Sequence, residues 1–157
     1  MTSKIAVIGT GYVGLTTGAC FAKLGHEVVC ADIDSDKIER LSRGEIPIHE
    51  AGLEEMVHEG IESGRLTFSL GSAGVVGEAE FVYLCVPTPQ AADGSADLSY
   101  IEAAAAEISP RLRPGTIVVN LADCVQVWTN DRYRAAVHRV VPMTDRDRYS
   151  IPYFFIR

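Results

Sequence analysis

No run in the chain approaches the roughly 18 consecutive apolar residues that cross a bilayer, and its start lacks the basic-then-apolar layout of a secretory signal. The expectation is a cytoplasmic protein without membrane partners. Basic charge is also short: 14 Lys and Arg stand against 21 Asp and Glu, a net charge of -7. That excludes general nucleic-acid binding, which needs a basic face. The four cysteines, Cys20, Cys30, Cys85 and Cys124, form no CxxC and no dense framework. Their spacing fits free thiols in a reducing compartment, each expected as a buried structural residue. Internal repeats and low-complexity segments are missing too. No histidine is followed two residues later by an acid: those positions hold Val28, Ala51, Gly60 and Val140. What remains is an ordinary globular composition, 47% hydrophobic and 22% charged, in 157 residues, the size of one domain.

Against that background the segment Lys4 to Gly14 stands out. A short apolar strand, Lys-Ile-Ala-Val-Ile, runs into the turn Gly9-Thr-Gly11-Tyr-Val-Gly14, and a helical pattern follows at once. In such a unit the first glycine permits the tight turn and the second lets backbone approach a pyrophosphate. The third brings helix close to strand. A helix starting near Tyr12 aims its free N–H groups and positive dipole end at that pyrophosphate. Leu15, Ala19, Phe21, Ala22 and Leu24 suit a buried helix stopped by Gly25. Val28-Val29-Cys30-Ala31 then reads as a second buried strand ending at Asp32. That carboxylate, 18 residues beyond Gly14, is placed to accept hydrogen bonds from the adenosine ribose and to repel a 2′-phosphate. NAD is therefore the expected cofactor, not NADP.

Farther on, Asp34 or Ser35 caps a helix through Ile38 and Leu41 to Gly44, with Lys37 in its first turn close to Asp32. Leu53, Met56, Val57 and Ile61 mark another helix closed by Gly64. Leu66–Leu70 and Phe81–Val86 are strands, the second ending at Pro87-Thr88-Pro89. A polar loop spans 90–99, an alanine-rich helix runs from Asp97 to about Ile108, Pro114-Gly115 is a turn, and Thr116–Asn120 is the next strand. This alternation predicts an α/β, Rossmann-like, doubly wound parallel sheet. Ligands on such sheets lie beyond the carboxyl ends of the strands, where Gly9, Asp32 and Thr88 belong. After Asn120 the texture becomes strand, turn, strand, as in Asp123–Trp128, Val137–Val141 and Tyr149–Phe155, which predicts a short antiparallel β tail. The expected organisation is thus a domain at 1–120 and a β-rich tail at 121–157.

Residues 4 to about 120 closely resemble the N-terminal NAD-binding domain of the UDP-glucose 6-dehydrogenase (UDP-glucose/GDP-mannose dehydrogenase) family. The matching stretches are GTGYVGL at 9–15, ADID at 31–34, PIHEAGLEEM at 47–56, CVPTP at 85–89 and DLSY at 97–100. The family usually has proline where this chain has Ala51. The resemblance implies NAD contacts at Gly9, Gly11, Tyr12, Val13, Gly14, Asp32, Lys37 and Thr88. It also implies oxidation of UDP-glucose to UDP-glucuronate, in which NAD takes two hydrides in turn from the sugar C6 by way of a cysteine thiohemiacetal. The Phe-Leu-x-Glu-Gly segment, catalytic lysine and GGxC motif of that family do not occur here, and the neighbours of Cys124 match none of them. The expectation is a truncated or hybrid domain that binds NAD without turning over a sugar nucleotide unless other domains complete it.

The tail resembles the C-terminal end of iron(II)/2-oxoglutarate dioxygenases of the isopenicillin N synthase type. The matches are Pro114–Asn120, Trp128–Arg134, His138-Arg-Val and Arg148-Tyr-Ser150. The resemblance implies a vestigial iron ligand at His138 and 2-oxoglutarate contacts at Arg148 and Ser150. One ligand does not hold iron, which in this chemistry needs two histidines and a carboxylate, so no metal site and no dioxygenase activity are expected. Two further readings remain. One is a non-catalytic NAD-binding or assembly module forming a homo-oligomer through Trp128, Tyr153, Phe154 and Phe155; the other is a chimera with no selected function.

Overall fold

Ile5, Ala6, Val7 and Ile8 are all buried, and a strand buries successive side chains only where both faces of its sheet are covered. They form β1 (Lys4–Ile8), the middle of a five-stranded sheet whose neighbours all pair in parallel. The other strands are β2 (Glu27–Asp32), β3 (Leu66–Leu70), β4 (Phe81–Leu84) and β5 (Ile117–Asn120), in the order β3-β2-β1-β4-β5. The structure, a computed structural model, describes residues 1–48, 50–89 and 97–120.

Alternate residues of β1 serve two separate cores. Ile5 and Val7 pack with Leu15, Ala19 and Ala22 of α1 (Tyr12–Lys23), Leu41 of α2 (Ser35–Ser42), and Leu53 and Val57 of α3 (Leu53–Glu62). Ala6 and Ile8 pack with Ala104 and Ile108 of α4 (Ser99–Ile108) and with Val76 and Ala79 of the β3–β4 connection. Helices on both faces of a parallel sheet are the Rossmann-like arrangement that the strand–helix alternation predicts. The order changes direction between β1 and β4, which opens a crevice beyond their carboxyl ends.

The local signals act as expected at most boundaries. At the end of α1, Gly25 takes φ 95°, and the N–H groups of Gly25 and His26 return to the carbonyls of Ala22 and Phe21. Glycine does this without the Cβ clash that other residues meet in left-handed backbone. Asp34, not Ser35, is the N-cap of α2, its Oδ1 accepting the Lys37 N–H at 3.0 Å. Close packing is bought with small residues: a Cβ on Gly18 of α1 would overlap the Sγ of Cys30 in β2.

Several expectations are corrected. Leu24 is not part of the buried face of α1; it is the C-cap residue, 73% exposed, because the helix ends before its side chain can turn inward. Cys20 is exposed on the outer face of the same helix, whereas Cys30 is buried and Cys85 half-buried. β4 stops at Leu84, two residues early, as the chain turns against Gly9, and β5 starts at Ile117 because the Thr116 N–H closes a turn on Arg113. α4 begins at Ser99, with Asp97 accepting the Ser99 N–H at 2.9 Å from just outside it. The readings for the 90–96 loop and for residues 121–157, including Cys124, Trp128, His138, Arg148, Ser150 and the antiparallel tail, lie outside the described residues.

Candidate functional site

β1 delivers the chain directly into the glycine turn, where two of the three glycines have a steric reason. Gly9 has φ 100°, donates its N–H to the Ala31 carbonyl at 2.7 Å, and would place a Cβ 2.6 Å from the Cys85 carbonyl oxygen. A Cβ on Gly14 would drive into the Gly9 carbonyl oxygen. Both glycines are required by the fold. Gly11 is different: its φ of -70° is open to any residue, and a Cβ there would meet nothing within 4 Å. Nothing in the described chain needs that position empty, so the space fits a ligand drawn against the backbone. Gly11 is also the N-cap of α1, with no side-chain cap and no acid in the first turn. The first N–H groups of the helix are therefore left for an anion.

Asp32, at the end of β2, faces this turn. Its Oδ2 accepts from the Thr10 N–H at 2.8 Å, the Thr10 hydroxyl at 2.6 Å and Lys37 Nζ at 3.1 Å; its Oδ1 accepts from the Asp34 N–H at 3.2 Å. Burial works to raise the carboxyl, but the Thr10 hydroxyl and N–H, then Lys37 and the Asp34 N–H, outweigh it and hold the group at about 2. The site thus carries a fixed negative charge at any physiological pH. Lys37 offsets it only in part, its side chain being 32% exposed against 11% for Asp32.

The structure brings Gly9, Gly11, Gly14, Asp32 and Lys37 together at the carboxyl ends of β1 and β2. Val13 is half-buried in the first turn of α1. Tyr12, in the same turn, is 55% exposed and donates its hydroxyl to Glu50 at 2.6 Å, tying the helix start to the segment before α3. Thr88 is half-buried on the loop after β4. Sequence reading missed two residues. Glu50 and Thr10 stand in the sequence only as members of the motifs at 47–56 and 9–15; the parallel register, which pairs Ile8 with Ala31, is what makes the residues just beyond those strand ends neighbours.

A depression of about 420 Å³ between Glu80, Phe81, Arg113 and Thr116 lies at the opposite, amino-terminal ends of β4 and β5. The chemistry gathers instead in the open crevice at the carboxyl ends. Among the described residues no group of three or more His, Cys, Asp or Glu side chains could hold a metal ion, and no helix is long and apolar enough to cross a membrane.

The cysteines give a direct check of these packing statements. Burial pushes the Cys85 thiol up to about 12 and, with the neighbouring Cys85, raises Cys30 as well. In a Cys124→Ser background, Cys20 is expected to react with a thiol reagent in the folded protein, and Cys30 and Cys85 only after unfolding. Equal reaction rates for all three would contradict the placement of Cys30 and Cys85.

Residues 3–149 match the NAD-binding domain of the UDP-glucose/GDP-mannose dehydrogenase family. The chain is 43% identical over 152 residues to the UDP-glucose 6-dehydrogenase of Rhizobium meliloti (strain 1021), covering 96% of this chain and 35% of that protein. It is 42% identical over 147 residues to the UDP-glucose 6-dehydrogenase TuaD of Bacillus subtilis (strain 168), covering 94% of this chain and 31% of that one. It therefore spans about a third of the length of these curated relatives. Among solved structures, a UDP-glucose dehydrogenase from Pyrobaculum islandicum superposes with a TM-score of 0.72 at 39% identity, over 76% of this chain and 28% of its own. A ternary complex of GDP-mannose dehydrogenase from Pseudomonas aeruginosa gives 0.69 at 35% identity, over 74% and 27%.

Proposed function

Because the chain belongs to the UDP-glucose/GDP-mannose dehydrogenase family and carries that family's NAD-binding domain, we propose that it holds NAD(H) across the carboxyl ends of β1, β2 and β4 in the service of sugar-nucleotide oxidation, UDP-glucose to UDP-glucuronate. The observation that supports this most directly is Gly11, kept without a side chain where the fold itself leaves room for one.

Bound NAD supplies the hydride acceptor. The rest of the reading concerns the chain's own groups. Gly9 and Gly14 shape the turn, and the N–H groups that open α1, from Tyr12 and Val13 onward, hold the pyrophosphate. Asp32 accepts from an adenosine ribose hydroxyl and, being ionised, repels a 2′-phosphate. Lys37, after β2, and Thr88, after β4, are the further contacts of this reading. On this reading residues 1–120 are the cofactor-binding unit. The family match runs on through residue 149, which favours reading the segment after Asn120 as its continuation over reading it as a dioxygenase fragment with His138, Arg148 and Ser150.

The 157 residues contain neither a Phe-Leu-x-Glu-Gly nor a GGxC segment. The chain alone is therefore expected to bind NADH, to prefer it to NADPH by at least tenfold, and to produce no NADH from UDP-glucose. Fluorescence titration with both dinucleotides and a turnover assay on purified protein test this. Equal affinity for NADPH would remove the role given to Asp32, and steady turnover would overturn the inactivity.

A further inference from the structure

Thr10 is 1% exposed and, with Ser72, makes up the buried polar residues of the described core. A threonine hydroxyl in a tight turn commonly bonds to backbone close by in sequence. Here both donors of the residue go to one side-chain oxygen 22 positions away, the N–H at 2.8 Å and the hydroxyl at 2.6 Å from Asp32 Oδ2. With Lys37 Nζ also on Oδ2, that oxygen has its acceptor capacity filled. Among the described residues Oδ1 accepts only the longer bond from the Asp34 N–H, which leaves it a lone pair toward them unused.

We propose that Thr10 is a positioning residue for the dinucleotide: by anchoring Oδ2 with two donors it fixes the carboxylate rotation that leaves Oδ1 for a ribose hydroxyl, and it ties the pyrophosphate turn to the ribose site before the cofactor arrives. The inference rests on the reading of Asp32 as a ribose ligand. The hydroxyl bond is specific to threonine or serine, since valine has the same shape and keeps the N–H but has no side-chain proton to donate. It also fixes the Asp32 side chain against the turn that follows β1, and such preorganisation lowers the ordering cost of binding. Among the described residues the charged side chain in contact with the carboxylate is Lys37, in the first turn of α2, and it does not replace the two Thr10 donors.

The test compares Thr10→Val, Thr10→Ser, Asp32→Ala and the Thr10→Val/Asp32→Ala double variant by NADH fluorescence titration. It adds a carbon-13 NMR titration of the Asp32 carboxyl in the unliganded protein. Thr10→Val is expected to weaken NADH binding about tenfold, as for loss of a hydrogen bond to a charged group, and to move the Asp32 titration up toward the ordinary carboxylate range. Thr10→Ser should stay within about twofold of the parent by the same criterion. The double variant should bind no more weakly than Asp32→Ala, because the threonine acts through the carboxylate. If Thr10→Val binds NADH like the parent while Asp32→Ala is weakened, the positioning role is wrong. If the double variant is clearly weaker than Asp32→Ala, Thr10 acts through the fold and the proposal also fails. Unchanged binding by Asp32→Ala would instead remove the ribose reading on which it stands. Should Thr10→Val fail to fold, Thr10→Ala removes the same hydroxyl without the second methyl and takes its place.

Discussion

Gly14→Ala is expected to abolish measurable NADH binding and to destabilise the protein by about 3 kcal/mol or more, at the upper end of overpacking penalties. The added methyl would overlap the carbonyl oxygen of Gly9 and sit 3.1 Å from the Cys85 Cβ. Neither neighbour can yield easily: one is backbone in a turn held to Ala31, the other follows a strand hydrogen-bonded to β1. The helix would have to lift off β1, taking the N–H groups at its start away from the crevice. Gly11→Ala is the informative contrast. Its backbone angles suit alanine and its Cβ meets nothing, so thermal unfolding should change little while NADH affinity falls. Thermal melts paired with NADH titrations separate the two glycines. A Gly11→Ala protein with unchanged affinity would show that the open space at that position is not where the cofactor lies.

Asp32→Asn is expected to weaken NADH binding ten- to hundredfold, the range for losing a charge-assisted hydrogen bond, and to alter the acid stability of the unliganded protein. The Asp32 carboxyl sits at about 2 when folded, against 3.8 ordinarily. A lowered folded value means that the ionised carboxylate stabilises the fold at pH above about 4, and that this contribution disappears as pH falls toward about 2. Its size is at most about 2 kcal/mol, from the usual conversion of a pKa shift, and less where solvent screens the half-open side toward Lys37. The asparagine variant should therefore be less stable near neutrality yet lose less between pH 4 and 2. Denaturant midpoints across that interval measure it; parallel acid profiles for the two proteins would show that the carboxylate network contributes nothing to the fold.

The sheet was legible because β1, β2 and β4 are mostly apolar runs, the mark that buried parallel strands leave. The glycine turn was legible for a similar reason: the spacing of Gly9, Gly11 and Gly14 has three distinct physical causes, two of which the fold displays on its own. What the sequence hid depends on relations between distant residues. Thr10 looks interchangeable until the register places it beside Asp32. Leu24 looks like one more buried residue of an apolar helix, yet the helix ends one residue before it, and its apolar face gives no warning of that. Cys20 carries a hydrophobic side chain by type and an outer position by helical phase, and type was the poorer guide. The hydroxyl of Tyr12 is held by Glu50, a pairing that only the approach of the α3 segment creates.

The close seating of α1 has a dynamic consequence. With Gly14 against the Gly9 backbone and Gly18 against the Cys30 side chain, the helix is seated with no room for a Cβ at either position. Interfaces this tight do not slide by small increments. Helix α1, β1 and β2 should therefore behave as one rigid anvil, against which anything that binds at the glycine turn has to fit.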